Sequence, residues 1–148
     1  MPIPQLSNNG LLPAGIHVTT LNEIRERFGT FHGSDRRVLL FGRLVQLSSE
    51  LRQSGLFSAL IVDGSFVTAK PAPADIDIIV IFHPNHDWAA DLGPSDYALV
   101  SRTALRRRFG FDVFLAKAIG GAYERYVEFF GRVREDSSVR KGMLRITL

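Results

Sequence analysis

The sequence predicts an α/β fold in which a small mixed β-sheet packs against helices. Apolar segments of strand length alternate with segments of helical periodicity. Residues 76–82 are apolar on both alternations, which is typical of a central strand that is covered on both faces. The chain has 148 residues, 45% of them apolar, and neither a linker nor a repeat divides it. Residues 1–148 are therefore expected to form one domain.

The N-terminal segment is expected to be an irregular arm followed by a short helix. Residues 1–15 contain three prolines, two asparagines and two glycines, a composition typical of irregular structure. Thr20 and Glu23 form a capping-box pattern, which predicts the start of a helix, and Gly29 is expected to end it.

A longer helix is predicted to follow. Ser34 or Asp35 can cap its start, and Gly55 is expected to end it. Apolar residues recur at three- and four-residue spacing, which predicts one apolar face. The members of this face are Leu40, Leu44, Leu47 and Leu51, widened by Val38, Phe41 and Val45.

The remaining elements carry the predicted sheet. They are a strand at 56–62, a connection at 66–74, the strand at 76–82, a helix from Ser95 to Arg108, a strand at 111–115, a helix at 122–130 and a last strand at 143–148. The first two of these strands are expected to pair antiparallel. The long crossover from 82 to 111 suits a parallel return beside the second strand.

Composition excludes several classes of function. The chain has no cysteine, so disulfides, thiolate nucleophiles and zinc–cysteine sites are ruled out. No apolar run approaches the roughly 20 residues that span a bilayer, and the N-terminus lacks the pattern of a signal peptide. A cytoplasmic protein with no membrane partner is expected. The net charge of +3 permits a polyanionic partner without requiring one.

Carboxylates cluster where the predicted strands begin. Asp75 and Asp77 are two residues apart, so on a strand they share a face, with Cβ atoms roughly 6.5–7 Å apart. Asp112 opens the strand that is expected to lie parallel to theirs, which places it at the same edge. Three neighbouring carboxylates repel one another, and a bound metal is the usual compensation. Mg²⁺ favours one or two carboxylates together with substrate phosphates.

A glycine–serine turn precedes this cluster. Gly64 allows close approach of the backbone to a phosphate, and the Ser65 hydroxyl with the amides after the turn could form an anion cradle. Lys70 lies in the same connection and could reach a phosphate as a point charge. Asp63 is either a turn residue or an extra polar or metal contact. A lone Gly-Ser or Asp-x-Asp is usually structural, and only the combination indicates a site.

This combination resembles the signature of the DNA polymerase β-like nucleotidyltransferase superfamily, in particular its minimal members. In that signature an apolar residue and Gly-[Gly/Ser] precede Asp-apolar-[Asp/Glu]-apolar, and a third acid follows on a later strand. Here these positions are Gly64, Ser65, Asp75, Asp77 and Asp112. Asp63 departs from the pattern, because an apolar residue usually stands there. Segments 12–17 and 20–28 also resemble a short bacterial family of this superfamily that has no assigned function.

The resemblance implies a polymerase β-like fold and transfer of a nucleoside monophosphate from an NTP to a hydroxyl group. Asp75, Asp77 and Asp112 would hold Mg²⁺ or Mn²⁺, and Asp112 would also orient or deprotonate the acceptor. Gly64 and Ser65 would grip the triphosphate. The acceptor stays open between a protein, an RNA and a small molecule. By analogy with other minimal members, a toxin–antitoxin or defence role is expected.

Two other functions are compatible with the sequence. The same fold could form a catalytically silent module that senses nucleotides or binds a partner. Alternatively, the protein could bind nucleic acid through Arg106, Arg107 and Arg108, with the acids merely structural. The structural interpretation of these arginines is that they complement the dipole at a helix C-terminus.

Other charged residues are not assigned to the site. His83 and His86 lie about 20 Å of strand beyond Asp77, so they are not expected to share its metal. A solvated basic face is predicted for the remaining cations near the C-terminus: Arg132, Arg134, Arg140 and Lys141.

Overall fold

The protein is built on a mixed β-sheet, seen in a computed structural model that describes residues 3–30, 33–118, 121–133 and 136–148. Its strands are β1 (Gly15–Thr19), β2 (Phe57–Asp63), β3 (Asp77–Phe82), β4 (Asp112–Ala116), β5 (Arg132–Val133), β6 (Asp136–Arg140) and β7 (Gly142–Thr147). Its helices are α1 (Leu21–Phe28), α2 (Arg36–Ser54), α3 (Pro94–Leu99), α4 (Arg102–Phe109) and α5 (Gly121–Phe130), with a 3₁₀ turn at Ser65–Val67. The predicted α/β fold, a small mixed sheet with packed helices, is confirmed.

The main sheet has the strand order β1-β7-β2-β3-β4 within the described part of the chain. β2 pairs antiparallel with β3, as expected, and β3 pairs parallel with β4, as the length of the crossover predicted. β7 lies between β1 and β2, parallel to the first and antiparallel to the second. β5 and β6 form a separate two-stranded hairpin. The site-bearing strands are therefore neighbours at one end of the sheet order.

The two faces of the sheet have different cores. On one face, α1, α2 and α4 pack against even-numbered positions of β2 and β3, which gives the larger cluster. Its central members are Leu40, Leu44, Leu47, Leu51, Leu60, Val62, Ile78 and Val80. On the other face, α5 covers a smaller cluster made by the odd-numbered positions Ala59, Ile61, Ile79 and Ile81. The odd-numbered face is the one on which the carboxylates of β2 and β3 lie.

The α2 helix confirms part of its predicted apolar face and corrects the rest. The four leucines are fully buried, and Phe41 packs against the core as a half-buried residue. Val38 and Val45 are exposed, so they do not widen the buried face. A helix that lies on a sheet contacts it along a narrow stripe, and Val38 and Val45 lie roughly 130–150° around the helix from the centre of the leucines.

Two predicted boundaries in the remaining helices and strands are wrong. The single helix predicted from Ser95 to Arg108 is two helices, α3 and α4. Ser101 causes the break, because its hydroxyl accepts a hydrogen bond from the Ala104 amide and caps a new helix. The irregular arm was expected to reach residue 15, but β1 starts at Gly15. No helix in the described ranges is long and apolar enough to cross a membrane.

Candidate active site

Three carboxylates from three neighbouring strands line up at one end of the sheet. Asp63 of β2 is the register partner of Asp77 of β3, and Asp77 is in turn the register partner of Asp112 of β4. Register partners project to the same face, and adjacent strands lie about 4.8 Å apart. We call Asp63, Asp77 and Asp112 the carboxylate row. The structure thus places two of the three predicted acids side by side and adds Asp63.

The third predicted acid, Asp75, belongs to the turn in front of the row. It precedes β3 and is exposed. Its Oδ1 accepts hydrogen bonds from the Ser65 amide (3.3 Å) and from the Ser65 hydroxyl (3.2 Å). The Ser65 hydroxyl oxygen in turn accepts a hydrogen bond from the Ala74 amide at 3.1 Å. Ser65 therefore ties the end of the turn to the residues that enter β3.

Gly64 is required by the geometry of this turn. Its φ is +91°, in the region that favours glycine. A Cβ atom at this position would lie 3.0 Å from the Asp77 amide nitrogen and 3.1 Å from the Asp75 Oδ1. The glycine thus lets β2 turn directly against the two aspartates that open β3.

Three of the amides that were expected to form an anion cradle have acceptors within the protein. The Ser65 amide donates to Asp75, the Val67 amide to the Gly64 carbonyl, and the Thr68 amide to the Ser65 carbonyl. An anion that bound here would take the place of the Asp75 carboxylate at Ser65. Lys70 lies in the same connection and is exposed, as a phosphate contact would require.

Two arginines that the sequence analysis did not assign hold this connection in place. Arg36 donates from Nε to the Pro73 carbonyl (3.1 Å) and from Nη2 to the Ala74 carbonyl (2.6 Å). The guanidinium of the buried Arg37 donates to four carbonyls, those of Phe28, Phe66, Thr68 and Lys70. One sequence signal could have found them. Cations are unfavourable in the first turn of a helix, so an Arg-Arg pair just after a cap indicates a specific partner.

Cations are paired with both ends of the carboxylate row. Lys141, at the junction of β6 and β7, places its Nζ 3.3 Å from the Asp63 Oδ1. Arg106, in the last turn of α4, forms an ion pair with Asp112. Lys141 was predicted on a solvated face, and this is wrong, because its side chain is only 20% exposed. Arg134 of the same predicted face lies outside the described residues.

Negative charge is unfavourable at the centre of the carboxylate row, where Asp77 lies. The pKa of Asp77 is raised to about 6, mainly by burial and further by the charges of Asp75, Asp63 and Asp112, while Lys141 opposes the shift. Burial also raises the pKa of Asp63, which is 1% exposed. Neither carboxylate oxygen of Asp63 accepts a hydrogen bond of normal geometry, so the ion pair with Lys141 is its main compensation. Negative charge with so few partners favours a bound cation.

The residues of the row fit a divalent metal ion in their chemistry. All the donors are carboxylate oxygens, which Mg²⁺ and Mn²⁺ prefer, and the oxygens of Asp63 accept no hydrogen bond of normal geometry. Their present side-chain positions do not form a ready cage. Among the described residues, no group of three or more His, Cys, Asp or Glu side chains is arranged to hold a metal. Side chains of the row would therefore have to rearrange around an ion.

The arginine cluster at the end of α4 is mostly engaged within the protein. All three arginines lie in the last turn of the helix, where they complement its dipole. Arg106 pairs with Asp112, and Arg108 makes a bidentate pair with Glu50 of α2 at 2.7 Å. These pairs compete with any phosphate contact that a nucleic acid would make.

The two histidines lie away from the carboxylate row. β3 is continuous from Asp77 to Phe82, so His83 and His86 follow its opposite end. The ring of His86 contacts the rings of Phe82 and Trp88, with centroids 5.1 Å and 4.5 Å apart. These contacts give His86 a packing role that needs no metal.

A family profile matches residues 4–147, and its description is "Family of unknown function (DUF6932)". The chain belongs to the DUF6932 family. The DUF6932 match includes the Gly64–Ser65 turn, Asp75 and the whole carboxylate row. No curated protein and no solved structure matches the chain. The geometry of the site is consequently the main guide to the function of this DUF6932 protein.

Proposed function

We propose that this DUF6932 protein is a metal-dependent nucleotidyltransferase that transfers a nucleoside monophosphate from an NTP to a hydroxyl group. The observation that carries the proposal is the alignment of Asp77 with Asp112, directly beside a Gly64–Ser65 turn that is bound to Asp75. This arrangement supports the proposal because it is the one that the resemblance to the polymerase β-like superfamily implies. It joins an anion-binding turn to a cation-binding acid pair within one site.

The roles of the residues follow from their positions. Asp75, Asp77 and Asp112 would hold Mg²⁺ or Mn²⁺, which when bound would neutralise phosphate charge. The Ser65 amide and hydroxyl would exchange Asp75 for an oxygen of the triphosphate, and Gly64 leaves room for that approach. Lys70 is exposed and would contact the same phosphates.

The proposed transfer needs no reactant other than the NTP and the acceptor hydroxyl. The acceptor hydroxyl oxygen forms a bond to the α-phosphorus, and the bond from that phosphorus to the bridging oxygen breaks, which releases pyrophosphate. Asp112, half-buried at the end of the row, would orient the acceptor and take the hydroxyl proton. The acceptor is a protein, an RNA or a small molecule. A cytoplasmic location and a toxin–antitoxin or defence role belong to the same proposal.

A labelling experiment tests the activity. The protein is incubated with each of four α-labelled NTPs, Mg²⁺ or Mn²⁺, and cell lysate. We expect a metal-dependent labelled product that disappears in Asp75→Asn and Asp77→Asn. Asp91→Asn, an exposed acid in the loop that precedes α3, is the matched control and should keep the activity. Absence of any product with every NTP and both metals would contradict the proposal.

One observation favours a second function, a catalytically silent module that senses nucleotides or binds a partner. Arg106 and Lys141 already neutralise two acids of the row, as in a site that works without metal. On this view the protein would bind an NTP with the same affinity whether Mg²⁺ or EDTA is present. Calorimetric titration with and without metal therefore separates the two functions.

A further inference from the structure

The two cations beside the carboxylate row hold it with very different strength. Asp63 is buried, and its partner Lys141 is only 20% exposed, so breaking that pair would leave a buried charge without compensation. Arg106 and Asp112 have side chains that are 63% and 45% exposed. An exposed ion pair contributes little stability, since water and salt can replace either partner. Lys141 is thus a fixed counter-ion, and Arg106 is an exchangeable one.

The location of Arg106 matters because Asp112 is a proposed metal ligand. A carboxylate that accepts a guanidinium has fewer lone pairs for an ion, and two cations near one oxygen repel each other. Arg106 contacts Oδ1 of Asp112, so metal binding through that oxygen requires Arg106 to leave. Once it has left, the nearest incoming anion is the triphosphate that the metal accompanies, and guanidinium groups bind phosphate well.

We infer that Arg106 is an exchangeable cation of the site, which blocks Asp112 in the absence of nucleotide and contacts the triphosphate once metal and nucleotide bind. This inference rests on the proposed function. It assigns the first arginine of the cluster to the nucleotide rather than to nucleic acid. It also makes metal binding weak in the absence of nucleotide and cooperative with the triphosphate, because one displacement serves both ligands.

The inference gives effects of opposite sign for two ligands. Arg106→Gln removes a competitor, so Mn²⁺ alone should bind about two- to fivefold more tightly, the upper part of the range expected for an exposed pair. The same change should weaken binding of inorganic triphosphate in the presence of Mn²⁺ by about fivefold or more. A general change in charge would alter both affinities without regard to Asp112.

Arg107→Gln is the matched control. Arg107 follows Arg106 in the same helical turn and is exposed, and its loss changes the net charge equally. Its effect on Mn²⁺ binding should stay below about twofold, as a screened surface charge predicts. The double variant Arg106→Gln/Asp112→Asn should bind Mn²⁺ no more tightly than Asp112→Asn, because the gain depends on the freed carboxylate.

Electron paramagnetic resonance of free Mn²⁺ measures the metal affinity, and calorimetry measures inorganic triphosphate, which needs no knowledge of the base. Tighter Mn²⁺ binding and weaker triphosphate binding in Arg106→Gln, but not in Arg107→Gln, support the inference. Equal Mn²⁺ affinity in the two variants overturns it while leaving the proposed function intact. Failure of the wild-type protein to bind either Mn²⁺ or triphosphate overturns both.

Discussion

The connections on the two sides of β3 are built in different ways. The one that enters the strand, residues 64–76, has five backbone carbonyls bound by Arg36 and Arg37, and Ser65 joins its two ends. The one that leaves the strand, residues 83–93, is mostly exposed and packs through the rings of His86 and Trp88.

The difference shows which connection must hold its side chains in fixed positions. Hydrogen bonds to backbone carbonyls fix the path of a chain, whereas ring contacts made by side chains alone leave its backbone less constrained. The fixed connection is the one that brings Gly64 and Asp75 to the carboxylate row. The loosely packed connection bears the two histidines, at the far end of the strand.

Replacement of Arg37 is expected to have the largest effect on the stability of the first connection. Arg37→Gln should lower the free energy of unfolding by about 3–4 kcal/mol, because buried carbonyls would lose a charged donor. Urea denaturation followed by circular dichroism measures the effect. Arg43→Gln, on an exposed position of the same helix, should change stability by less than about 0.5 kcal/mol. A loss below about 1 kcal/mol for Arg37→Gln would show that the connection keeps its path without the arginine.

Each connection contains a glycine, and replacing the two glycines in turn compares the connections with a smaller expected loss of stability. Gly64→Ala should cost about 2 kcal/mol, because φ is +91° and the new Cβ would press on the Asp77 amide. Gly93→Ala should cost less than about 1 kcal/mol, since φ is −67° and no atom lies within 4 Å of the added Cβ. Thermal denaturation compares the two variants. Equal losses would refute the claim that only the first connection is constrained.

The smallest expected effect concerns charge and depends on pH. Since the pKa of Asp77 is raised to about 6 in the folded protein, the folded state keeps a proton that the unfolded state has released between about pH 4 and 6. Stability therefore falls as pH rises through that window. Asp77→Asn should stabilise the protein by about 1–2 kcal/mol at pH 7.5, after allowance for solvent screening, and by almost nothing at pH 4. Denaturation curves at the two pH values measure it, and a gain that is equal at both would contradict the charge argument.

The position of Asp112 could be predicted from the sequence because it depends on two local features. β2 and β3 were expected to be antiparallel neighbours, and the long crossover after β3 allows β4 to return parallel to it. These two statements place Asp112 beside Asp77, and the observed register agrees. The pairing of the strands was thus set by connections that can be read along the chain.

The counter-ions could not be predicted in the same way. Lys141 reaches Asp63 only because β7 inserts between β1 and β2, a pairing between distant segments that no local pattern specifies. The burial of Arg37 depends likewise on the fold of the connection above it. Ser101 was overlooked as a cap because its neighbours also have helical periodicity. What escaped prediction was thus mainly long-range contact between polar groups.

The insertion of β7 has a consequence for synthesis of the chain. β7 pairs with β1 across more than a hundred residues, so β1 has no place in the sheet until residues 142–147 have left the ribosome. Long-range pairings are slow because a large loop must close before they form. Lys141 arrives together with this last strand. The buried charge of Asp63 therefore lacks its Lys141 partner until β7 has paired with β2.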